Sequence, residues 1–338
     1  MGKAIMATHL ITGCAGFVGS HLTRALLGSG AEVYGVDSLI EGYKENIADL
    51  KNNPNFHFVR QDIRDISPQT HTSIDYIWHL AAMGATYFCR DFPKLAVLIN
   101  INGTISMLDI AINSKCKHFF FADSSSLYDS LVGDEFYPSA ESMAPNIETP
   151  MGIYAITKMA ASQLVRSFGE KHSFGTSLFR YTNIYGPSMN LQRDIPPVVG
   201  SFTSKLLTGE TPIIYGTGQK RRDFLHIDDL TNFHLHALYS RFDKKDTQTY
   251  NAGCGKNFSI SEVYETVHAA CKKIKTDISD EIEYREDQPN EAQITLADIS
   301  KANDELGWQP EISFEDGVEK TVDSLNKMLG DSNAISAS

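Results

Sequence analysis

The chain is poor in cationic charge: across 338 residues, 30 Lys and Arg stand against 42 Asp and Glu, a formal net charge of −12. That balance argues against nucleic acid or an anionic membrane as partner and leaves room only for a local basic site holding a phosphorylated ligand. Cysteine is scarce as well. Cys14, Cys89, Cys116, Cys254 and Cys271 are odd in number and show no C-x-x-C spacing, so no full disulfide framework is expected and a reducing cytoplasm is the expected compartment. No apolar run approaches the roughly 18 to 20 residues needed to span a bilayer. Nor does a long apolar segment with a small-residue cleavage site precede the first strand-like stretch. Internal repeats are absent, no metal site is expected, and residues 331–338 (DSNAISAS) read as a flexible tail. What remains has the composition of a soluble globular protein, long enough for two lobes.

What is present is a rhythm. Apolar strand-like runs at His9–Thr12, Glu32–Asp37, His57–Arg60, Tyr76–Leu80, Lys117–Ala122 and Gly175–Tyr181 alternate with helical segments. Those helices run from about Gly16 to Gly28, around Leu95–Asn113 and over Tyr154–Lys171. The pattern predicts an α/β fold with a Rossmann-type, doubly wound parallel sheet over residues 1–182. From Asn183 the rhythm weakens: Pro187, Pro196, Pro197, Pro212 and loop-rich text such as YGTGQKRRD mark residues 183–330 as a smaller, interleaved α/β lobe. Segments such as Leu178–Tyr181 and Asp223–Asp229 are expected to return to the first lobe.

Two signatures carry chemistry. In HLITGCAGFVGSHL a strand runs into Gly13, Gly16 and Gly19 and then a helix. Gly13 permits the sharp turn, Gly16 lets backbone amides approach a pyrophosphate at the positive helix end, and Gly19 leaves room for helix–strand packing. The spacing is G-x-x-G-x-x-G, not the G-x-G-x-x-G of the standard dinucleotide fingerprint. Asp37, ending the second strand, can accept hydrogen bonds from the adenosine ribose and would repel a 2′-phosphate, so NAD is expected in preference to NADP. The alternative, an ordinary tight turn, weakens once Asp37 is counted.

The second signature is Tyr154-Ala-Ile-Thr-Lys158, a tyrosine and a lysine on one helix face. A free tyrosine ionises at about pH 10, too high for a general base at neutral pH. A lysine ammonium and a positively charged nicotinamide can lower it, each unit requiring about 1.36 kcal/mol of preferential phenolate stabilisation. A hydroxyl to hold the substrate oxygen is on offer in Asp123-Ser124-Ser125-Ser126, just beyond a predicted strand end. Alone, each element is more often structural; together they point to an NAD-dependent enzyme with a tyrosine base.

With these residues in place the chain resembles an extended short-chain dehydrogenase/reductase of the nucleotide-sugar epimerase/dehydratase group. The resemblance runs from about residue 8 to 328. Its carriers are TGCAGFVGSHL, QDIRD (61–65), HLAA (79–82), NINGT (100–104), SSSLY (124–128), YAITK (154–158), RYTNIYGP (180–187), RRDFLHIDD (221–229), YNAG (250–253) and LADISKANDELGW (296–308). It implies that Phe17 and Val18 lie by the NAD pyrophosphate and Asp62 and Ile63 by adenine. Leu80, Ala81 and Ala82 would line the cofactor, with Asn100 nearby and Tyr181 beside the nicotinamide. Asn183 and Arg222 would bind the sugar-nucleotide diphosphate, and the helices around 95–113 and 154–170 would pair in a four-helix homodimer interface.

The serines separate the reactions. Similar dehydratases carry an Asp-Glu pair after the catalytic hydroxyl, and decarboxylating relatives keep a glutamate there. Here Ser125 and Ser126 occupy those positions, and neither can serve as a carboxylate acid or base. The implied reaction is therefore 4-epimerisation of a UDP-sugar through a transient 4-keto intermediate. Tyr154 would take the 4-hydroxyl proton while C4 passes hydride to NAD, Ser124 would hold the same oxygen, and Lys158 would bind the cofactor ribose. Thr295 stands where hexose-restricted relatives carry a bulky tyrosine, which implies room for an N-acetyl group, although it can equally pair in a strand. UDP-glucose and UDP-glucuronate also fit. Three positions depart from the family pattern: Gln288 for a diphosphate-gripping arginine (with Arg285 nearby), Asp129 for a glycine, and Asp123 for a small residue. A 4-keto reductase, a dehydratase or a non-catalytic NAD-binding protein are the competing readings.

Overall fold

The computed structural model describes residues 6–67, 73–131, 133–149, 151–287 and 292–336. The first half runs β1 (Thr8–Thr12), α1 (Phe17–Gly28), β2 (Glu32–Asp37), β3 (Phe56–Arg60), β4 (Tyr76–His79), α2 (Thr86–Asp91), α3 (Pro93–Val97), a π-turn at Leu98–Asn102, α4 (Gly103–Asn113), β5 (His118–Ser124), α5 (Ile153–His172) and β6 (Gly175–Tyr181). The second half runs β7 (Asn183–Tyr185), α6 (Val198–Thr208), β8 (Ile213–Tyr215), β9 (Arg221–His226), α7 (Ile227–Arg241), β10 (Thr247–Ala252), β11 (Asn257–Ser259), α8 (Ile260–Ile274), β12 (Glu283–Arg285), α9 (Ser300–Leu306) and α10 (Phe314–Ser336). The last helix continues through much of the stretch that reads as a polar tail.

Seven strands form one parallel sheet in the order β3-β2-β1-β4-β5-β6-β10. The sheet is covered on both faces, which is why its central strands read as near-continuous apolar runs. Along β5 the pleat sends Phe120 to one face, beside Trp78, Phe179, Phe233 and Trp308, and Phe119 and Phe121 to the other, beside Met107, Leu108, Ala161 and Val165. Each ring taken out of water contributes about 1.5–3 kcal/mol. Strand order reverses between β1 and β4, and a crevice at the carboxyl ends is the expected consequence.

The second lobe is smaller: β7, β9 and β11 in one sheet, β8 with β12 in another. Helices α6, α8 and α10 enclose its core of Tyr185, Phe202, Phe224, Val263, Val267, Phe314 and Val318. A capping box between Ser259 and Glu262 starts α8. Of the two segments expected to return to the first lobe, Leu178–Tyr181 is part of β6 in the main sheet, whereas Asp223–His226 lies in β9 of the small sheet and Ile227–Asp229 opens α7. β10 completes the first sheet, and α7 and α9 lie on it through Leu230, Phe233, Leu238, Ala302 and Leu306.

The run Pro93–Asn113 is, by length and mean hydropathy, apolar enough to cross a membrane, a feature that counting unbroken apolar residues did not reveal. Its setting is that of a sheet-covering helix. Met107, Leu108 and Ala111 are packed under it, Asn100 and Thr104 are buried in hydrogen bonds, and Lys94 and Asp109 lie on the exposed side. A lipid-facing surface would not place charges there.

Candidate active site

The glycine turn has the geometry its spacing implies. Gly13 is left-handed (φ 71°), its amide donates to the Val36 carbonyl at 2.8 Å, and a Cβ there would lie 3.0 Å from the Ala81 nitrogen. A Cβ on Gly19 would sit 2.0 Å from the Gly13 carbonyl oxygen, so no other residue fits. Helix α1 begins at Gly16 with no side-chain cap and no acid in its first turn. Its leading amides therefore open toward an anion. Phe17 and Val18 line the resulting cleft with Gly13, Gly16, Gly19, Asp37, Asp62, Ile63, Leu80, Ala81, Ala82, Tyr154, Lys158 and Tyr181, around about 810 Å³.

Asp37 is buried, and burial pushes its carboxyl above the usual range, while the amides of Leu39, Ala15 and Gly16 draw it back. Oδ1 accepts from Leu39 N–H at 2.8 Å and Oδ2 from Ala15 N–H at 3.0 Å. Each oxygen keeps a second lone pair, which a ribose hydroxyl can use. Arg60 is adjacent in the β2–β3 register but exposed. Asp62 is held by a fork from Arg64, at 2.9 and 2.7 Å, which lowers its pKa. The donor set thus fits a dinucleotide: free amides for a pyrophosphate, carboxylates for ribose and an apolar wall.

Asn100 is placed behind the cleft and does not line it. Its amide holds Met83 from both sides, accepting from N–H at 2.8 Å and donating to C=O at 3.2 Å, and donates to Thr157 Oγ1 at 3.0 Å. It therefore braces the 80–83 loop against the second turn of α5. Tyr181 turns its face to the cleft while its hydroxyl is 2.7 Å from His234 Nε2.

Tyr154 and Lys158 come from the start of α5 and point at the end of β5. Lys158 is buried, donates to the Ala122 carbonyl at 2.7 Å, and lies 4.8 Å over the Phe121 ring. Burial lowers its pKa to about 8, with Asp123 and Cys89 opposing, so it remains largely charged at neutral pH. Tyr154 departs from the sequence expectation. Burial raises its pKa, Asp123 and Cys89 raise it further, and the Ser124 hydroxyl and Arg193 lower it. Desolvation of the phenolate outweighs what these neighbours supply. Ser124 Oγ accepts from Ser126 N–H at 3.1 Å, Ser125 is half-buried, and the Ser126 hydroxyl is buried without a partner among the described residues.

The remaining candidates gather on the second lobe's side. Asn183 Nδ2 donates to the Asp223 carbonyl at 3.1 Å and to Thr295 Oγ1 at 3.4 Å, and the same Thr295 oxygen accepts from Asp223 N–H at 3.1 Å. Arg222 donates to the carbonyl of Arg221 at 3.0 Å. Arg285 is exposed on β12 and paired with Glu283 at 2.7 Å, and Gln288 lies outside the described residues.

Some residues escaped the sequence reading. Buried Asp223 accepts from Cys254, Gly255 and Ala297 N–H and from Thr182 Oγ1, so its four donors tie three other chain segments to β9 at the lobe junction. Burial raises its pKa to about 6. Across the cleft, Tyr43 Oη donates to Asn190 Oδ1 at 2.5 Å, and Glu41 pairs with Arg193. Such contacts join residues far apart in sequence and have no local signal.

The family model described as GDP-mannose 4,6 dehydratase matches residues 10–321. A UDP-glucuronate 4-epimerase of Thermodesulfobacterium geofontis is 32% identical, over 94% of this chain and 95% of that protein. UDP-glucuronic acid decarboxylase 1 of Arabidopsis thaliana is 30% identical, over 95% of this chain and 71% of that protein. The crystal structure of the Bacillus cereus UDP-glucuronic acid 4-epimerase, in complex with UDP-glucuronic acid and NAD, superposes with a TM-score of 0.84 at 28% identity, covering 95% and 99% of the two chains.

The Gly19 contact gives a direct check. Gly19→Ala is expected to open the turn, leaving protein that purifies without dinucleotide. Nucleotide released by acid from the wild type and absent from the variant would be the expected pair of results.

Proposed function

The chain belongs to the GDP-mannose 4,6 dehydratase family, the NAD-dependent nucleotide-sugar epimerase/dehydratase enzymes, and within it we propose that it is a UDP-sugar 4-epimerase. The observation that carries the reading is the convergence of Tyr154, Lys158 and Ser124 at one end of a dinucleotide-shaped cleft, with serines and no carboxylate at positions 125 and 126. NAD, when bound, would supply the hydride acceptor and a positively charged ring.

Tyr154 then serves as base toward the sugar 4-hydroxyl and returns that proton to the inverted sugar, using one group for both directions. Ser124 holds the same oxygen by hydrogen bond. Lys158, charged and fixed by the Ala122 carbonyl, places a cation one turn below the phenol. Asn100 keeps the helix turn and the cleft wall in register, so the phenol cannot drift from the reacting oxygen. Asn183 and Arg222 are the residues proposed to meet the diphosphate, and the small Thr295 beside Asn183 favours a sugar with an N-acetyl group. Exposed Phe92, Val97 and Ile156, near or on the helices of the expected four-helix interface, support a homodimer.

Proton NMR of the protein incubated separately with UDP-GlcNAc, UDP-glucose and UDP-glucuronate, without added NADH, tests the reaction. Growth of a 4-epimer anomeric signal to a stable mixture is expected in at least one tube. Loss of the carboxylate from UDP-glucuronate to give a UDP-pentose would replace the reading with decarboxylation, and no new signal from any sugar while dinucleotide stays bound would overturn it. In the same assay Tyr154→Phe should lower kcat by about 10³-fold and keep its NAD. Thr295→Tyr should selectively lose UDP-GlcNAc relative to UDP-glucose. Thr295→Val, which keeps the size but drops both hydrogen bonds, should not change that preference.

A further inference from the structure

Asp123 is an unusual neighbour for a catalytic serine. It stands one residue before Ser124 on β5, only 2% exposed. The alternation that turns Phe119 and Phe121 toward α5 turns Asp123 the same way, beneath the α5 stripe of Tyr154, Lys158, Ser162 and Arg166. Neither of its oxygens accepts a hydrogen bond of good geometry among the described residues, although the Ser162 hydroxyl and the Ser124 amide face it and favour its ionised form. Its cross-strand partner in register is Arg180, whose Nε is 3.7 Å away. The Arg180 Nη1 is committed elsewhere, donating to Tyr128 Oη at 2.8 Å and to the Glu141 carbonyl at 3.2 Å.

A carboxylate kept for stability alone would be expected to take a bidentate arginine or several amides, as Asp223 does. Asp123 has neither, and besides Arg180 the cations it faces are the Lys158 ammonium and the Arg166 guanidinium, both on α5. From this geometry we propose that Asp123 is a positioning residue that holds Lys158 in its charged form beneath Tyr154. The proposal rests on the Tyr154–Lys158 chemistry set out above.

The groups around the pair fix the sign. Lys158, Arg166 and Tyr154 face Asp123 from α5 and Arg180 faces it from β6; Cys89 of α2 acts on both Tyr154 and Lys158. His79 of β4 is held neutral by burial, its pKa lowered to about 3. Desolvation pulls Lys158 down and Asp123 is the largest influence pushing back. The same carboxylate opposes ionisation of Tyr154. Removing it therefore lowers both pKa values, so both limbs of the kcat–pH profile shift to lower pH. At neutral pH a larger share of Lys158 would then be neutral.

The experiment is a pH titration of 13C-lysine-labelled protein by NMR, with the Lys158 Cε resonance assigned by Lys158→Met. Wild-type Lys158 is expected to titrate above pH 7. In Asp123→Asn, and in the smaller Asp123→Ser, its midpoint should fall by at least about one pH unit. The kcat–pH profile should move acid on both limbs. An unchanged midpoint in a folded variant, with kcat lowered evenly at every pH, would mean a purely structural role and overturn the proposal. So would a wild-type midpoint below 7, which needs no variant to fold. The titration requires no turnover, so it stands or falls separately from the epimerase assignment.

Discussion

The chemistry proposed for this protein depends on docking the first turns of α5 against the carboxyl end of β5. That contact takes a phenol, an ammonium and a carboxylate out of water together, at the point where the sheet ends. In a low effective dielectric each charge acts strongly on the others and each is costly by itself. The core around Phe119, Phe121, Ala161 and Val165 makes the docking rigid. Asn100 and Thr157 then extend it to the 80–83 loop, so the cleft wall and the helix carrying Tyr154 belong to one packed unit.

The second lobe is tied to that unit by few but well-satisfied contacts. Asp223 gathers amides from the chain after β10 and from the 297 segment together with the Thr182 hydroxyl. Four donors on one buried carboxylate offset a desolvation cost that would otherwise be several kcal/mol. The same junction positions Asn183 and Thr295, so the residues proposed to meet the sugar nucleotide inherit their placement from Asp223. On the opposite rim, Glu41 with Arg193 and Tyr43 with Asn190 join the loop after β2 to the loop before α6.

The fold was legible because its signals are local. Six of the seven strands of the main sheet were readable as apolar runs, and the glycine turn follows from the steric demands of single positions. β10 was not, since TQTYNA is short, polar at its start and separated from β6 in sequence by β7, α6, β8, β9 and α7. The site was legible to the same extent. Tyr154, Lys158 and the turn residues fall in the cleft, and Asn100 falls behind it for a reason only packing reveals: its amide is used up on Met83 and Thr157. Asp223, Arg193 and His234 make their contacts at long sequence separation, where neither spacing nor propensity leaves a trace.

The ionisation of Tyr154 is where local reading and folded environment part. On an isolated helix, a lysine one turn away would lower the phenol's pKa. In the folded chain, burial of the ring raises it, and the nearby carboxylate raises it further. The two statements are reconciled by asking which charges are still to come. If Tyr154 is the base proposed above, a cationic ring bound in the cleft would supply the phenolate stabilisation that the protein's own groups do not, and proton abstraction would be conditional on a filled cleft. With Tyr154 as the proposed base, the desolvation of its ring would couple occupancy of the dinucleotide cleft to the readiness of that base.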